Sequence, residues 1–323
     1  MGRIDLLSLE PTKISSDLAS KFVLIYGQSK VGKTSFATQI PNSLLIAFEK
    51  GYNALAGVMA VDIDKWSTFK EVIRQLEKPE VKEKYNCVII DTATIAYDMA
   101  EKFVCAQAGV SKVGEIPYGG GYAMTKAEYA AAFQKIAQLG YGILFISHAE
   151  KRTITDTEDN EMVILSPDLQ KRAAQVIEPM VDIIGMIDCI VHEDGSSERW
   201  LYTRKTPTIM AGSRWRYLAP KIPFGYDELI KAIDEAIAKE VANGAQVSTE
   251  KVSFEQETLN FKDIRDEAEK LWKDLVAKDE NNAKLIIEKA TEIFGHEVRL
   301  SEITASQVEP FNMLLQEMRE MAK

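Results

Sequence analysis

Phe22-Val-Leu-Ile-Tyr-Gly-Gln-Ser-Lys-Val-Gly-Lys-Thr34 decides the fold. Phe22 to Ile25 is an apolar run of the length and kind that makes a buried strand. Residues 27–34 read Gly-x-x-x-x-Gly-Lys-Thr, and Ser35 to Ile40 is a helix-forming run. Strand, glycine-bearing loop and helix in this order form a phosphate-binding P-loop. Gly27 and Gly32 let the backbone close on phosphate oxygens, and the loop N–H groups converge at a helix N-terminus that favours negative charge. Lys33 has the reach for β- and γ-phosphates, and the Thr34 hydroxyl suits Mg²⁺. Gln28, Ser29, Lys30, Val31 and Ser35 complete the run expected to hold the nucleotide, with ATP and Mg²⁺ as the ligands.

Outward from that loop, the chain has 323 residues, 46% of them hydrophobic, enough for one large and one small core. Cys87, Cys105 and Cys189 are widely spaced and odd in number. They provide no disulfide framework or zinc site, which points to a reducing, cytoplasmic setting. The longest apolar stretch, Val181 to Val191, is broken by Asp182 and Asp188, so no membrane span or leader is expected. Net charge is −10, which excludes a wholly basic nucleic-acid coat. Six cations without an acid nevertheless crowd into 199–221 (Arg199, Arg204, Lys205, Arg214, Arg216, Lys221), so any polyanion contact is local.

Periodicity predicts a mostly parallel sheet covered on both faces. Its strands are Leu44 to Phe48, a short one at Val61 and Ile63, Cys87 to Asp91 and Tyr141 to Ser147. Intervening helices are expected from a Thr68/Glu71 capping box to Glu77, after Asp91 to Ala108, and from Tyr122 to Leu139. A hairpin (Lys151 to Thr155 with Glu161 to Leu165), a helix from Asp168 to Asp182, and antiparallel strands Ile184 to Val191 and Arg199 to Thr203 follow. Asp227 to Ala242 has the apolar stripe of a helix. The predicted layout is an N-terminal arm at 1–20, an ATPase core at 21–243 and a linker at 244–258. An acidic α-helical domain at 259–323 follows, with helices at Phe261–Lys278, Asn281–Phe294 and Thr304–Met321.

Asp91, ending an apolar strand downstream of the P-loop, fits the acid that holds the Mg²⁺ shell opposite Thr34. Thr92 follows it rather than Glu, so the general base must come from elsewhere. Glu49 closes the strand after the P-loop helix, where a carboxylate can face the γ-phosphate through a water.

The P-loop, Leu44-Leu-Ile-Ala-Phe-Glu49, Asp91 and Ile143-Leu-Phe-Ile-Ser-His148 together resemble the RecA-type ATPase core. Gly119-Gly-Gly-Tyr122, Ser166-Pro-Asp-Leu169 and Ala211-Gly-Ser-Arg214 narrow the resemblance to phage-encoded, RecA-like ATP-binding proteins linked to single-strand annealing and recombination. The resemblance covers residues 20–240. It implies a RecA-type P-loop NTPase fold with a small helical domain appended, and His148 as sensor of the γ-phosphate. It also implies a DNA-contacting hairpin after His148, assembly into a ring or filament, and a cation donated in trans by a neighbour. Arg214, or Arg204 with Lys205, fits that last role. Lys151 and Arg152 are the hairpin's candidates for DNA phosphates, opposed by Asp156, Glu158, Asp159 and Glu161. Arg199 and Arg216, with Trp200, Tyr202, Trp215 and Tyr217, also have the composition of a groove in which cations track a backbone and rings stack on bases.

The expected output is ATP-linked handling of single-stranded DNA, by annealing or pairing. Residues 245–323 carry 11 Lys/Arg and 17 Asp/Glu, a balance suited to a protein partner rather than DNA. Two alternatives stay open: an ATP-binding switch or loader with little turnover, and a P-loop kinase of small molecules.

Overall fold

A computed structural model describes residues 14–155, 161–247 and 259–322. They belong to two compact units. In the larger, β1 (Phe22–Gly27) runs through the P-loop into α1 (Lys33–Ala37), β2 (Ser43–Ala47) and β3 (Ala60–Asp62). Helices α2 (Trp66–Leu76) and α3 (Pro79–Lys84) precede β4 (Cys87–Asp91), and α4 (Ala93–Ala108) and α5 (Gly120–Gln138) precede β5 (Gly142–Thr155). β6 (Glu161–Pro167), α6 (Lys171–Met180), β7 (Ile183–Val191), β8 (Ser197–Tyr202), β9 (Gly212–Ser213), β10 (Lys221–Pro223) and α7 (Tyr226–Ala242) complete it.

The strands line up as β10-β8-β7-β1-β5-β4-β2-β3, with β6 on β5 and β9 on β7. From β7 to β3 every pairing is parallel, whereas β8, β9 and β10 join antiparallel. Side chains alternate between faces along each strand. Leu24, Ile46, Val88, Ile90, Ile143 and Phe145 therefore bury one way, among residues of α2, α4, α5 and α6. Val23, Ile25, Leu45, Ile89, Leu144 and Ile146 bury the other way, among residues of α1 and α7. Both faces are covered, which is why these strands read as unbroken apolar runs. This is the RecA-like P-loop NTPase arrangement.

β5 outgrows the sheet. Its first half lies between β1 and β4 as far as His148, and from Ala149 onward it pairs with β6 as a two-stranded ribbon. The expected tip, Asp156 to Asn160, including the acids Glu158 and Asp159, lies outside the described residues.

Local differences have local causes. α2 starts at Trp66 rather than at a Thr68 box, because the Thr68 hydroxyl donates to Asp64 Oδ1 (2.7 Å) and Trp66 is fully buried. α6 starts at Lys171 instead of Asp168, because Asp168 N–H is spent on the His148 carbonyl (2.8 Å) and Leu169 is buried. α5 takes in Gly120 and Gly121 from the expected loop. Three short elements, α3, β9 and β10, had no periodic signal. Pro223 is tolerated in β10 because that strand is at the sheet edge.

The smaller unit packs α8 (Phe261–Lys278), α9 (Asn281–Phe294) and α10 (Val308–Met321) around Ile264, Leu275, Ile286, Phe311, Leu314 and Leu315. Thr304 and Gln307 do form a reciprocal cap, but it closes a 3₁₀ turn, and α10 starts just beyond it. Among the described residues no helix is long and apolar enough to cross a membrane.

Candidate active site

Parallel pairing collects the carboxyl ends of β1, β5, β4 and β2 at one mouth, where ligands of such sheets bind. Gly27 stands opposite His148, and Ala47 opposite Asp91. Phe48 and Glu49 both donate main-chain N–H bonds to the Asp91 carbonyl (2.7 and 3.0 Å). That turn carries Glu49 beside the Asp91 strand and leaves its side chain exposed.

The loop itself is shaped for an anion. Lys30 (φ 63°) and Gly32 (φ 105°) are left-handed, a conformation that turns successive N–H groups into a concave nest. At Gly27 a Cβ would lie 2.8 Å from the Ile187 carbonyl oxygen, so only glycine fits against β7. Lys33 is buried. Its ammonium donates to the Gly27 and Gln28 carbonyls (3.0 and 2.7 Å) and lies 3.5 Å from His148 Nδ1. Burial lowers its pKa against the opposing attraction of Asp91 and Glu49. The Thr34 hydroxyl donates to Asp91 Oδ2 at 2.7 Å. Asp91 is 6% exposed, and burial raises its pKa while the Thr34 hydrogen bond opposes that. His148 Nε2 is 3.4 Å from Glu49 Oε2.

These donors fit the group the fold implies. A hydroxyl and a carboxylate are hard oxygen ligands suited to Mg²⁺, and the left-handed loop with its lysine suits phosphates. Thr34 and Asp91 would hold the metal. The run from Gly27 to Ser35 would hold the nucleotide, with Glu49 and His148 at its far end.

A family model described as an AAA domain (AAA_24) matches residues 19–215, from the turn before β1 to the segment after β9. The chain belongs to this AAA domain family. The AAA domain here is a P-loop ATPase domain in which every residue just described falls within the matched span. A curated relative, the SPbeta prophage-derived uncharacterized protein YorG of Bacillus subtilis (strain 168), is 27% identical over 329 residues, covering 98% of each chain. Among solved structures, the flagellar accessory protein FlaH of Methanocaldococcus jannaschii aligns at 12% identity over 64% of this chain and 85% of its own, with a TM-score of 0.33.

Outside the mouth, the remaining candidate residues scatter. Lys151 is exposed on the ribbon. Arg152, the hairpin's other candidate for DNA phosphates, donates to Glu150 Oε1 (2.5 Å) and to the Leu169 carbonyl (3.3 Å). Arg204 spends its guanidinium on the Ser213, Trp215 and Arg216 carbonyls, where it clasps the segment after β8. Trp215 is buried in the core, which removes it from any stacking groove. Lys221 covers the Trp200 and Tyr202 rings (4.3 and 5.3 Å to the centroids). Lys205 and Arg216 are exposed. Arg214 is held by Asp182 Oδ1 (2.9 Å) and the Pro179 carbonyl (2.6 Å), at the amino edge of the sheet and away from its own mouth. The AAA domain also recruits Arg199, whose Nη1 donates to the Val31 carbonyl at 3.1 Å. Sequence reasoning placed that arginine in a groove. An isolated cation on a strand gave no sign of its partner.

Proposed function

We propose that the chain is an Mg-ATP-dependent, RecA-like ATPase acting on single-stranded DNA in phage-type recombination or replication, in a bacterial cytoplasm. The observation that carries this reading is the course of β5. His148 lies opposite Gly27 at the nucleotide mouth, and the next residue, Ala149, already belongs to the ribbon with β6. The strand that would sense the γ-phosphate is thus continuous with an element beyond the sheet. Tyr26, on the P-loop strand, adds a second link, its hydroxyl lying 3.0 Å from the Leu165 carbonyl of β6 and 2.5 Å from that of Met210. The prophage origin of the relative supports a phage-type role.

Glu49 acts as general base, taking the proton of the attacking water while His148 holds its carboxylate at the mouth. Lys33 exchanges the Gly27 and Gln28 carbonyls for phosphate oxygens. Thr34 and Asp91 would hold Mg²⁺, which would supply neutralisation of charge on the phosphates. Lys151 contacts DNA phosphates from the ribbon, with Lys205 and Arg216 as further exposed cations. The protein works as a homo-oligomeric ring or filament, and its acidic helical unit binds a protein partner. A cleft of ≈ 610 Å³ in that unit, lined in part by Trp272, Ile287, Val298 and Leu300, favours the second reading, an ATP-switched loader.

ATP turnover with and without added single-stranded DNA tests the proposal. DNA is expected to stimulate turnover, and Glu49→Gln to keep ATP binding while losing about 10²–10⁴-fold in rate. Tight binding with negligible turnover in the wild type would replace the motor by the loader. Phosphate transfer to an added acceptor would replace it by a kinase.

A further inference from the structure

Arg199 reaches the nucleotide loop from 168 residues further along the chain. β8 carries it, pairing with β7, which in turn pairs with the P-loop strand. Two contacts fix its guanidinium. One is the hydrogen bond from Nη1 to the Val31 carbonyl. The other is the face of Phe224, whose centroid lies 5.3 Å from the guanidinium carbon. Phe224 donates its own N–H to the Arg199 carbonyl (2.9 Å) and stacks on Phe36 of α1, with centroids 5.3 Å apart and planes 29° apart. Phe36 is fully buried. The layers Phe36, Phe224 and Arg199 therefore anchor a cation to the helix that follows the P-loop.

The hydrogen-bonded carbonyl matters because of the peptide it belongs to. In a planar trans peptide the C=O and the next N–H point opposite ways. Turning the Val31 carbonyl outward onto Arg199 turns the Gly32 N–H inward, into the hollow framed by the left-handed Lys30 and Gly32. Space is reserved for this as well: a Cβ at Gly32 would lie 2.7 Å from Arg199 Nη1. Glycine here serves the approach of the arginine as well as the backbone angle.

We propose that Arg199 is a positioning residue for the nucleotide: its guanidinium, layered on Phe224, locks the Val31–Gly32 peptide so that Gly32 N–H faces the phosphates before they arrive. This rests on ATP binding at the P-loop. The lock acts on ground and transition states alike, so it governs KM more than kcat.

The test is ATP affinity by calorimetry, steady-state kinetics and the nucleotide-free Tm for wild type, Arg199→Met and Arg199→Lys. Methionine keeps apolar packing over Phe224 and lacks a donor. Lysine keeps the charge and cannot lie flat on the ring. Arg199→Met is expected to bind ATP about 10- to 100-fold more weakly, the worth of a hydrogen bond to a charged group, with KM rising in step. Its kcat should stay within about twofold, and lysine should fall between. A simple staple between β8 and α1 would lower the Tm and leave affinity untouched. Wild-type affinity in Arg199→Met, or a fall in kcat at constant KM, overturns the proposal. If that variant does not fold, Arg199→Lys decides, because affinity equal to wild type shows that the stacked guanidinium is not needed. Failure of the underlying reading looks different, since wild type itself would then not bind ATP.

Discussion

Burial pushes the Asp91 carboxyl toward its neutral form, and that has a sign that can be followed with pH. Its pKa in the folded chain stands above 3.8, its ordinary value. A carboxyl of this kind binds its proton more tightly folded than unfolded, so its contribution to stability falls as pH rises through the interval starting at 3.8. Near neutral pH the buried ion is a burden in the nucleotide-free chain. Asp91→Asn removes the burden and keeps an oxygen for the Thr34 hydroxyl. The nucleotide-free variant should therefore melt above wild type at pH 7 and converge with it toward pH 4, while its affinity for Mg²⁺ falls at least ~10-fold. A thermal melt series against pH checks this, and a variant that melts below wild type at pH 7 contradicts it. At this scale the sequence was legible wherever neighbours in the chain are neighbours in space, as from Gly27 to Thr34. Arg199 escaped because its partner is 168 residues away and no period or spacing links the two.

Elements are legible by their apolar rhythm, and β5 shows what rhythm leaves out. The buried run to Ser147 and the polar alternation after it read as a strand and a separate hairpin. In the structure they are one 14-residue strand, and His148 sits at the change of partner. The Thr68 box failed for a related reason: an acceptor at Asp64 and the burial of Trp66 outweighed a local capping pattern. On the proposed reading, that continuity would make His148 a coupling residue as much as a sensor. His148→Ala removes the Nδ1 contact to Lys33 but leaves the loop and the Lys33 bonds to Gly27 and Gln28 in place. It should bind ATP within about threefold of wild type yet lose DNA stimulation, a coupling of the usual 5–150-fold kind. The ratio of turnover with and without DNA is the measurement. If His148→Ala is stimulated as strongly as wild type, the ribbon takes its signal from another part of the mouth.

The alternation of strands and helices announced a parallel sheet, but not on which side of β1 the later strands would return. That choice fixes the molecule's polarity. β7 lies beside β1, so Asp182 at its start accepts from Phe22 N–H (3.1 Å) and from Arg214. Arg214 thereby sits at the amino edge, about 16 Å from the mouth by the rise from Phe22 to Gly27 along β1. A cation on the edge opposite its own nucleotide is useless in cis. It would be well placed in the proposed assembly if that is head-to-tail, with the far edge of one subunit against the mouth of the next. The arginine of its pair with Asp182 is exposed, and the half-buried carboxylate keeps its bond from Phe22 N–H, so the guanidinium can be surrendered on assembly. Arg214→Ala should then lose about 10³–10⁵-fold in assembled turnover, the usual worth of a finger given in trans, with its ATP affinity kept. Mixing it with Glu49→Gln makes the case decisive. Each variant is inactive alone, yet a site joining Glu49 of one with Arg214 of the other is intact, so equimolar mixtures should regain part of the activity. Mixtures as inactive as their components, or Arg214→Ala turning over normally by itself, would return Arg214 to a purely structural role.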